Sequence, residues 1–321
     1  MMVMANDLII KTTHPYAGLL HTVNPVNPRL ICVLFMVFIS VLSVYPDGRA
    51  LQLPTPEGDL AVYWFMAPEA TRTIILGHGY LSHARINQLV IDYFLDRGYT
   101  VLAWDLPGHG NSWGQPGNID SFMQYVRAFD AILVHARKQR PGDTLSFIGH
   151  STSCAIFITW QRECWNTGAS SLAGGAFPLE KIVLVAPLVR TWLYRLSGFG
   201  WCLTRRFIKE FKPRTSAGSH RPGYGQDFFD DPLTVKRMPQ SWIEPYREWE
   251  RQTRAWEADP LPLVILQGTS DTVLAWRHNI RFLTSAYPEA RVEFIEGGWH
   301  CLLEEAEPWI SEVYGILDRE F

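Results

Sequence analysis

The chain has 321 residues, enough for one large domain carrying an insertion. Lys and Arg number 29 against 32 Asp and Glu, a formal net charge of −3, so no global basic field exists to hold nucleic acid. Zinc-ligand spacings, a Walker loop, a dinucleotide fingerprint and internal repeats are all absent from the sequence, which implies neither a metal nor an organic cofactor.

Residues 1–29 read as a leader whose only basic side chains are Lys11 and Arg29. Leu30 to Tyr45 then offers 16 positions without charge, against the roughly 20 that a full membrane span wants. Three readings compete: a membrane anchor over about residues 30–46 with Tyr45 at the interface, a signal peptide cut near Ser43 that leaves a secreted or periplasmic protein, and a buried N-terminal helix. The anchor is the expectation, because the remainder reads as an independent domain over 49–321. The basic residues ahead of the span and Arg49 behind it lean towards that domain lying outside the cytoplasm.

Leu51-Gln52-Leu53 and Leu60 to Phe65 read as a hairpin around Pro56-Glu57-Gly58-Asp59. Thr73 to Leu76 is a buried-type strand running into Gly77-His78-Gly79-Tyr80. Asn87 to Arg97 has helical spacing, with Leu89, Val90, Tyr93 and Phe94 on one face. Thr100 to Trp104 is a strand, and Asp105 opens its exit loop. Ile119 to Arg140 reads as a long helix closed by Pro141-Gly142-Asp143. A strand ends at Gly149, a helix follows Ser151 to about Trp165, and Lys181 to Val185 is the next strand. Strands and helices alternate, which predicts an α/β fold with a mostly parallel sheet covered on both faces.

Between Ala186 and Leu261 the alternation stops, so a helical cap is expected over about residues 187–260, after the sixth strand. Leu188 to Arg214 is aromatic and basic together, with seven basic residues against Glu210 alone. Trp192, Trp201, Arg205 and Arg206 are its candidate substrate or membrane contacts. One reading is a lid that lies on an anionic lipid surface and guides an acyl chain; the other is a cap packed on the core with a solvated basic face. Trp242, Trp249 and Trp256 recur every seven residues and read as core packing. Two further strands follow: Leu263 to Gln267 leads to Asp271, and Val292 to Glu296 leads through Gly297-Gly298-Trp299 to His300.

The chemistry converges on Ser151, in Gly149-His150-Ser151-Thr152-Ser153. A strand, a Gly, a Ser two residues on and small residues after it read as a nucleophile corner, which lifts the hydroxyl above the rim of a sheet. The last position is Ser153 where the usual pattern has Gly, and an ordinary Ser in a strand-to-helix loop is the competing reading. A base and an orienting acid should follow in the order Ser, acid, His. Asp271 lies 120 residues past Ser151, and His300 lies 29 past Asp271, both just beyond strand C-termini. The backbone N–H groups of Tyr80 and Thr152 are candidates for holding a developing oxyanion. His78 and Asp105 precede the Ser and are read as structural.

On these residues the chain resembles the monoacylglycerol lipase and lysophospholipase branch of the α/β-hydrolases, the serine aminopeptidase-like hydrolases. The matching positions are His78-Gly79-Tyr80, His83, Gly98-Tyr99, Asp105-Leu106-Pro107-Gly108-His109-Gly110-Asn111-Ser112, Gly149-His150-Ser151, Leu266-Gln267-Gly268 with Asp271, and Glu296-Gly297 with His300. Leu81-Ser82 stands where that branch often has Gly-Glu, and Ser153-Cys154 where it often has two Gly. The resemblance implies a cofactor-free serine hydrolase that cleaves monoacyl lipid esters at a membrane surface. A small-ester carboxylesterase, an aminopeptidase-like hydrolase and a membrane-tethered, non-catalytic binding protein remain as alternatives, and oligomeric state is not readable. The five cysteines, Cys32, Cys154, Cys164, Cys202 and Cys301, show no metal spacing and read as buried thiols.

Overall fold

Ile74-Ile75-Leu76, Val101 to Trp104, Phe147-Ile148 and Ile182 to Val185 are near-continuous apolar runs. Such a strand offers water nothing on either face, so its stable place is inside a parallel sheet with helices on both sides. The computed structural model, which describes residues 50–192, 194, 200, 206–213 and 218–321, is built this way. Its strands are β1 (Ala50–Leu53), β2 (Leu60–Phe65), β3 (Arg72–Gly77), β4 (Thr100–Trp104), β5 (Thr144–His150), β6 (Ile182–Val185), β7 (Glu210–Phe211), β8 (Met238–Pro239), β9 (Val264–Gly268) and β10 (Arg291–Ile295). An eight-stranded sheet runs in the order β1-β2-β4-β3-β5-β6-β9-β10. β2 pairs antiparallel with β1 and β4, and every other neighbour in this sheet is parallel.

The helices are α1 (Gln88–Leu95), α2 (Phe122–Gln139), α3 (Thr152–Trp160), α4 (Tyr224–Asp230), α5 (Ile243–Thr253), α6 (Trp276–Ala286) and α7 (Trp309–Glu320). Because strand side chains alternate, each strand feeds two cores. Ile75, Leu102, Trp104 and Leu184 pack with Phe129 of α2, Phe157 of α3 and Leu283 of α6. Ile74, Leu76, Val101, Val183 and Val185 pack on the other face with Val90 and Phe94 of α1 and Val313 and Leu317 of α7.

The helix ends match the sequence reading to within three residues. α2 starts at Phe122 rather than Ile119, because the Ser121 hydroxyl accepts from the Met123 N–H and caps it. α3 ends at Trp160 and continues as a π turn over Gln161–Trp165.

The insertion between β6 and β9 holds α4 and α5, and also a short antiparallel pair, β7 with β8, that a purely helical cap lacks. α5 lays Tyr246 and Trp249 into the core, with Trp242 just ahead of it. Trp249 stacks on Phe122 at 4.6 Å and donates to the Thr159 hydroxyl at 2.7 Å. The core-packing expectation thus holds for Trp242 and Trp249, while Trp256 is half-buried. The apolar segment 30–46, Trp201 and Arg205 lie outside the described residues, among which no helix is long and apolar enough to cross a membrane.

Candidate active site

β5 delivers its C-terminus to the sheet rim, and the chain turns there within one residue. Ser151 has φ 53° and ψ −104°, outside the regions an ordinary side chain prefers, and α3 starts at the next residue. The turn needs its neighbours to be small. A Cβ on Gly149 would lie 2.6 Å from the Phe147 ring, and one on Gly77 would lie 2.6 Å from the Ser153 side chain. Gly77 in β3 therefore makes the room that Ser153 occupies. Ser153 uses that room well, because its hydroxyl donates to the His78 carbonyl at 2.6 Å. Cys154 fits beside it, with its thiol donating to the Gly149 carbonyl at 3.0 Å. Burial pushes that thiol's pKa up, so it is a packing group rather than a nucleophile.

Ser151, His300 and Asp271 meet at this rim. His300 Nε2 lies 3.0 Å from Ser151 Oγ, and His300 Nδ1 lies 2.8 Å from Asp271 Oδ2. With Nδ1–H donating to the carboxylate, Nε2 is left to accept from the serine hydroxyl. Asp271 is buried, yet its other oxygen accepts from the Val273 and Leu274 N–H groups at 2.7 and 3.0 Å. Burial alone would raise this carboxyl; the charge and hydrogen bond of His300, with those two amides, hold it below the usual carboxylate range. Asp271 is thus kept ionised in a place that would otherwise neutralise it.

The backbone candidates for an oxyanion hole belong to the same cavity as that hydroxyl. Tyr80 and Thr152 both line the cavity above Ser151, and the Thr152 N–H starts a helix. Tyr80 is locked from its side chain: its hydroxyl donates to the Gly117 carbonyl at 2.7 Å and its ring stacks on Trp242 at 4.0 Å. His78, read as structural, is buried with Nδ1 2.7 Å from the Gly79 carbonyl and Nε2 accepting from the Leu106 N–H. Burial drives its pKa well below the ordinary histidine value. Asp105 likewise anchors loops, accepting from the Ala84 and Asn111 N–H groups and the Tyr63 hydroxyl.

Leu81 has φ 69°, a backbone that favours glycine. What holds a leucine there is packing: its side chain clusters with Phe228 and Val235 of the insertion, and the Val235 N–H donates to its carbonyl.

Three residues at the site escaped the sequence reading as site residues. His150 donates through Nε2 to the His300 carbonyl at 3.1 Å, and burial, with the charge of His300, pushes its pKa down to about 3. Glu305 is buried and accepts from the Trp299 and His220 N–H groups, tying the segment of the insertion ahead of α4 to the loop that carries His300. Glu304, one 3₁₀ turn after His300, lines the cavity. No spacing rule marks a carboxylate that acts through a loop closure; only the pair Glu304-Glu305 just past a catalytic-type His hinted at it.

The cavity holds about 600 Å³ and is walled by Leu188, Trp192, Phe228, Met238, Trp242 and Leu274. That volume is in the range of small-molecule sites. Of the expected insertion contacts, Trp192 joins this wall and is half exposed, whereas Arg206 is solvent-exposed and is not part of it. Arg206 lies in an exposed turn ahead of β7. Cys154, Cys164 and Cys301 are buried free thiols, as expected; Cys32 and Cys202 lie outside the described residues.

Comparison with known proteins gives the family and the fold. The family described as serine aminopeptidase, S33, matches residues 68–307. The chain is 22% identical to a monoglyceride lipase homolog of Monkeypox virus over 255 residues, covering 76% of this chain and 87% of the relative. It is 28% identical over 103 residues to phospholipase YtpA of Bacillus subtilis, covering 32% of this chain and 39% of that protein. Among solved structures, a soluble variant of the Saccharomyces cerevisiae monoglyceride lipase superposes with a TM-score of 0.70 at 13% identity, over 85% of this chain and 94% of that one. The monoacylglycerol lipase of Paleococcus ferrophilus gives 0.65 at 19% identity, over 81% and 97%. The sequence match over 68–307 and the mostly parallel sheet with its helices together place the chain in the serine aminopeptidase S33 family, as a hydrolase with the α/β-hydrolase fold.

Proposed function

We propose that the protein is a serine hydrolase of carboxylic esters, with monoacyl lipids (a monoacylglycerol or a lysophospholipid) as its substrates. The observation that carries this reading is the hydrogen-bonded relay from buried Asp271 through His300 to Ser151, opening into a largely apolar cavity. His300 Nε2 takes the Ser151 proton as the oxygen attacks the ester carbonyl, and Asp271 supports the imidazolium that forms. The Tyr80 and Thr152 N–H groups bind the oxyanion of the tetrahedral intermediate. His300 then protonates the leaving alcohol, and water attacks the acyl-enzyme by the same route in reverse. No step calls for a metal or an organic cofactor.

The apolar wall suits an acyl chain, and the names of the viral and bacterial relatives point to lipid esters. A membrane surface is the natural place to meet such a substrate. Phe207 is 83% exposed and Ile208 and Trp192 are exposed beside it in sequence or at the cavity wall, with Arg206, Lys209 and Lys212 close by in the chain. That mixture of apolar tips and cations favours an anionic lipid interface. An anchor over residues 30–46 would hold the domain there, with the hydrolase over 49–321 on the non-cytoplasmic side.

Fluorophosphonate labelling of the full chain in membranes tests the mechanism. Wild type is expected to label and Ser151→Ala not to label, with the variant's ester hydrolysis lower by roughly three to six orders of magnitude. Equal turnover by the two proteins would refute the assignment of Ser151.

A further inference from the structure

Glu304 is a costly residue with no structural employment. It is 5% exposed and its carboxyl has no hydrogen-bond partner among the described residues. Glu is almost never buried this far without one. Its backbone is fixed, the N–H donating to the Cys301 carbonyl and the carbonyl accepting from the Ser219 hydroxyl. The side chain, though, faces the cavity that also exposes Ser151 and His300. Nearby polar groups are committed elsewhere. The Arg221 guanidinium binds Asp227 at 2.6 Å, the Tyr224 hydroxyl donates to Cys301 Sγ at 3.1 Å, and Glu305 is taken up by His220 and Trp299. A carboxyl left unpaired in the wall of the cavity that holds Ser151 and His300 is a group waiting for a substrate partner.

Its protonation decides which partner. Burial raises the Glu304 pKa to about 8, with Arg221 opposing. The groups facing it are Arg221 and Tyr224 from the insertion and Cys301 from its own loop, with Glu305 and Asp271 close to that thiol. At neutral pH the group is therefore a carboxylic acid, one donor and one acceptor together. An alcohol hydroxyl offers the matching acceptor and donor. A phosphodiester offers acceptors only and adds a charge that none of the described lining residues neutralises.

We infer that Glu304 is the polar subsite of this cavity and binds a free hydroxyl of the ester's alcohol part, so that neutral polyol monoesters are preferred over lysophospholipids of the same chain. This rests on the esterase reading above. The same pattern of a neutral, buried carboxylic acid serving as hydrogen-bond donor is physically sound wherever an apolar site keeps the proton on.

The test compares 1-oleoylglycerol, methyl oleate and oleoyl lysophosphatidylcholine on full-length wild type, Glu304→Gln and Glu304→Leu. The ratio of kcat/KM for oleoylglycerol over methyl oleate is expected to fall about 10-fold in Glu304→Leu, the size of one lost hydrogen bond. In Glu304→Gln, which keeps a donor and an acceptor, it should change by less than about 3-fold. In wild type that ratio should decline as pH rises through about 8, and in Glu304→Gln it should stay flat. An unchanged ratio in Glu304→Leu, a pH-independent ratio in wild type, or a larger loss on the lysophospholipid than on oleoylglycerol overturns the inference alone. Fluorophosphonate labelling of each variant reports a folded site, and the Gln pH profile decides the matter if the Leu variant does not fold. Failure of wild type to hydrolyse any of the three esters overturns the esterase reading, and this inference with it.

Discussion

Replacing Ser153 by the glycine usual at this turn should weaken the protein rather than improve it. Ser153 and His78 are both fully buried, and the Ser153 hydroxyl donates to the His78 carbonyl at 2.6 Å. Ser153→Ala leaves that carbonyl without the bond in a dry interior, which costs about 1–3 kcal/mol. Ser153→Gly loses the same bond and adds about 0.5–1 kcal/mol for glycine inside α3. For a domain of this size roughly 2–4 °C of Tm accompany each kcal/mol. The melting temperature should therefore fall by about 2–12 °C for Ala and somewhat more for Gly, read by scanning calorimetry. The bond also joins the segment carrying the Tyr80 N–H to the helix start carrying the Thr152 N–H, so fluorophosphonate labelling should slow in both variants. A melting temperature at or above wild type in both would show that the Ser153–His78 bond contributes nothing and would refute the reasoning.

Asp271→Asn should retain the fold but release His300 into the wrong tautomer, lowering kcat on a short-chain ester by roughly 10⁴ with little change in KM; a loss under tenfold speaks against Asp271 as the orienting acid. Leu81→Gly relieves a left-handed backbone worth about 1–2 kcal/mol but gives up about 2–3 kcal/mol of burial against Phe228 and Val235. Burial should win by about 1 kcal/mol, and a variant more stable in urea than wild type contradicts that balance. Glu304→Gln should gain stability over wild type as pH rises. The native state keeps a proton up to about 8 that the unfolded chain releases near its ordinary value, so wild type loses about 1.4 kcal/mol per pH unit between those limits. Urea titrations at pH 4 and pH 8 should show the two proteins converging at the lower pH and separating by a few kcal/mol at the higher; parallel curves would mean that Glu304 is not protonated in the native state.

Much of this molecule is local in origin and was legible in the chain. The apolar runs of β3, β4, β5 and β6 can only be satisfied inside a covered parallel sheet, and the spacing of α1 marks Val90, Tyr93 and Phe94 as buried; Leu89, read on the same face, is instead exposed, because the buried stripe of this helix runs through Ile91. That Ser151, Asp271 and His300 meet was readable because each stands just past a strand whose end the sequence marks and the three follow in the order Ser, acid, His. Tertiary structure decided everything that depends on two distant segments touching. Ser153 is acceptable at the turn only because Gly77, far away in sequence, makes room for it and His78 offers it a carbonyl. Leu81 tolerates its backbone only because the insertion returns Phe228 and Val235 to cover it. Glu304 and Glu305 are adjacent and chemically identical, yet one is saturated by four N–H donors from the His300 loop and the insertion while the other is left facing the cavity. A linear pattern records what a residue is, and burial and partners, which set its charge and its use, exist only once the chain has closed on itself.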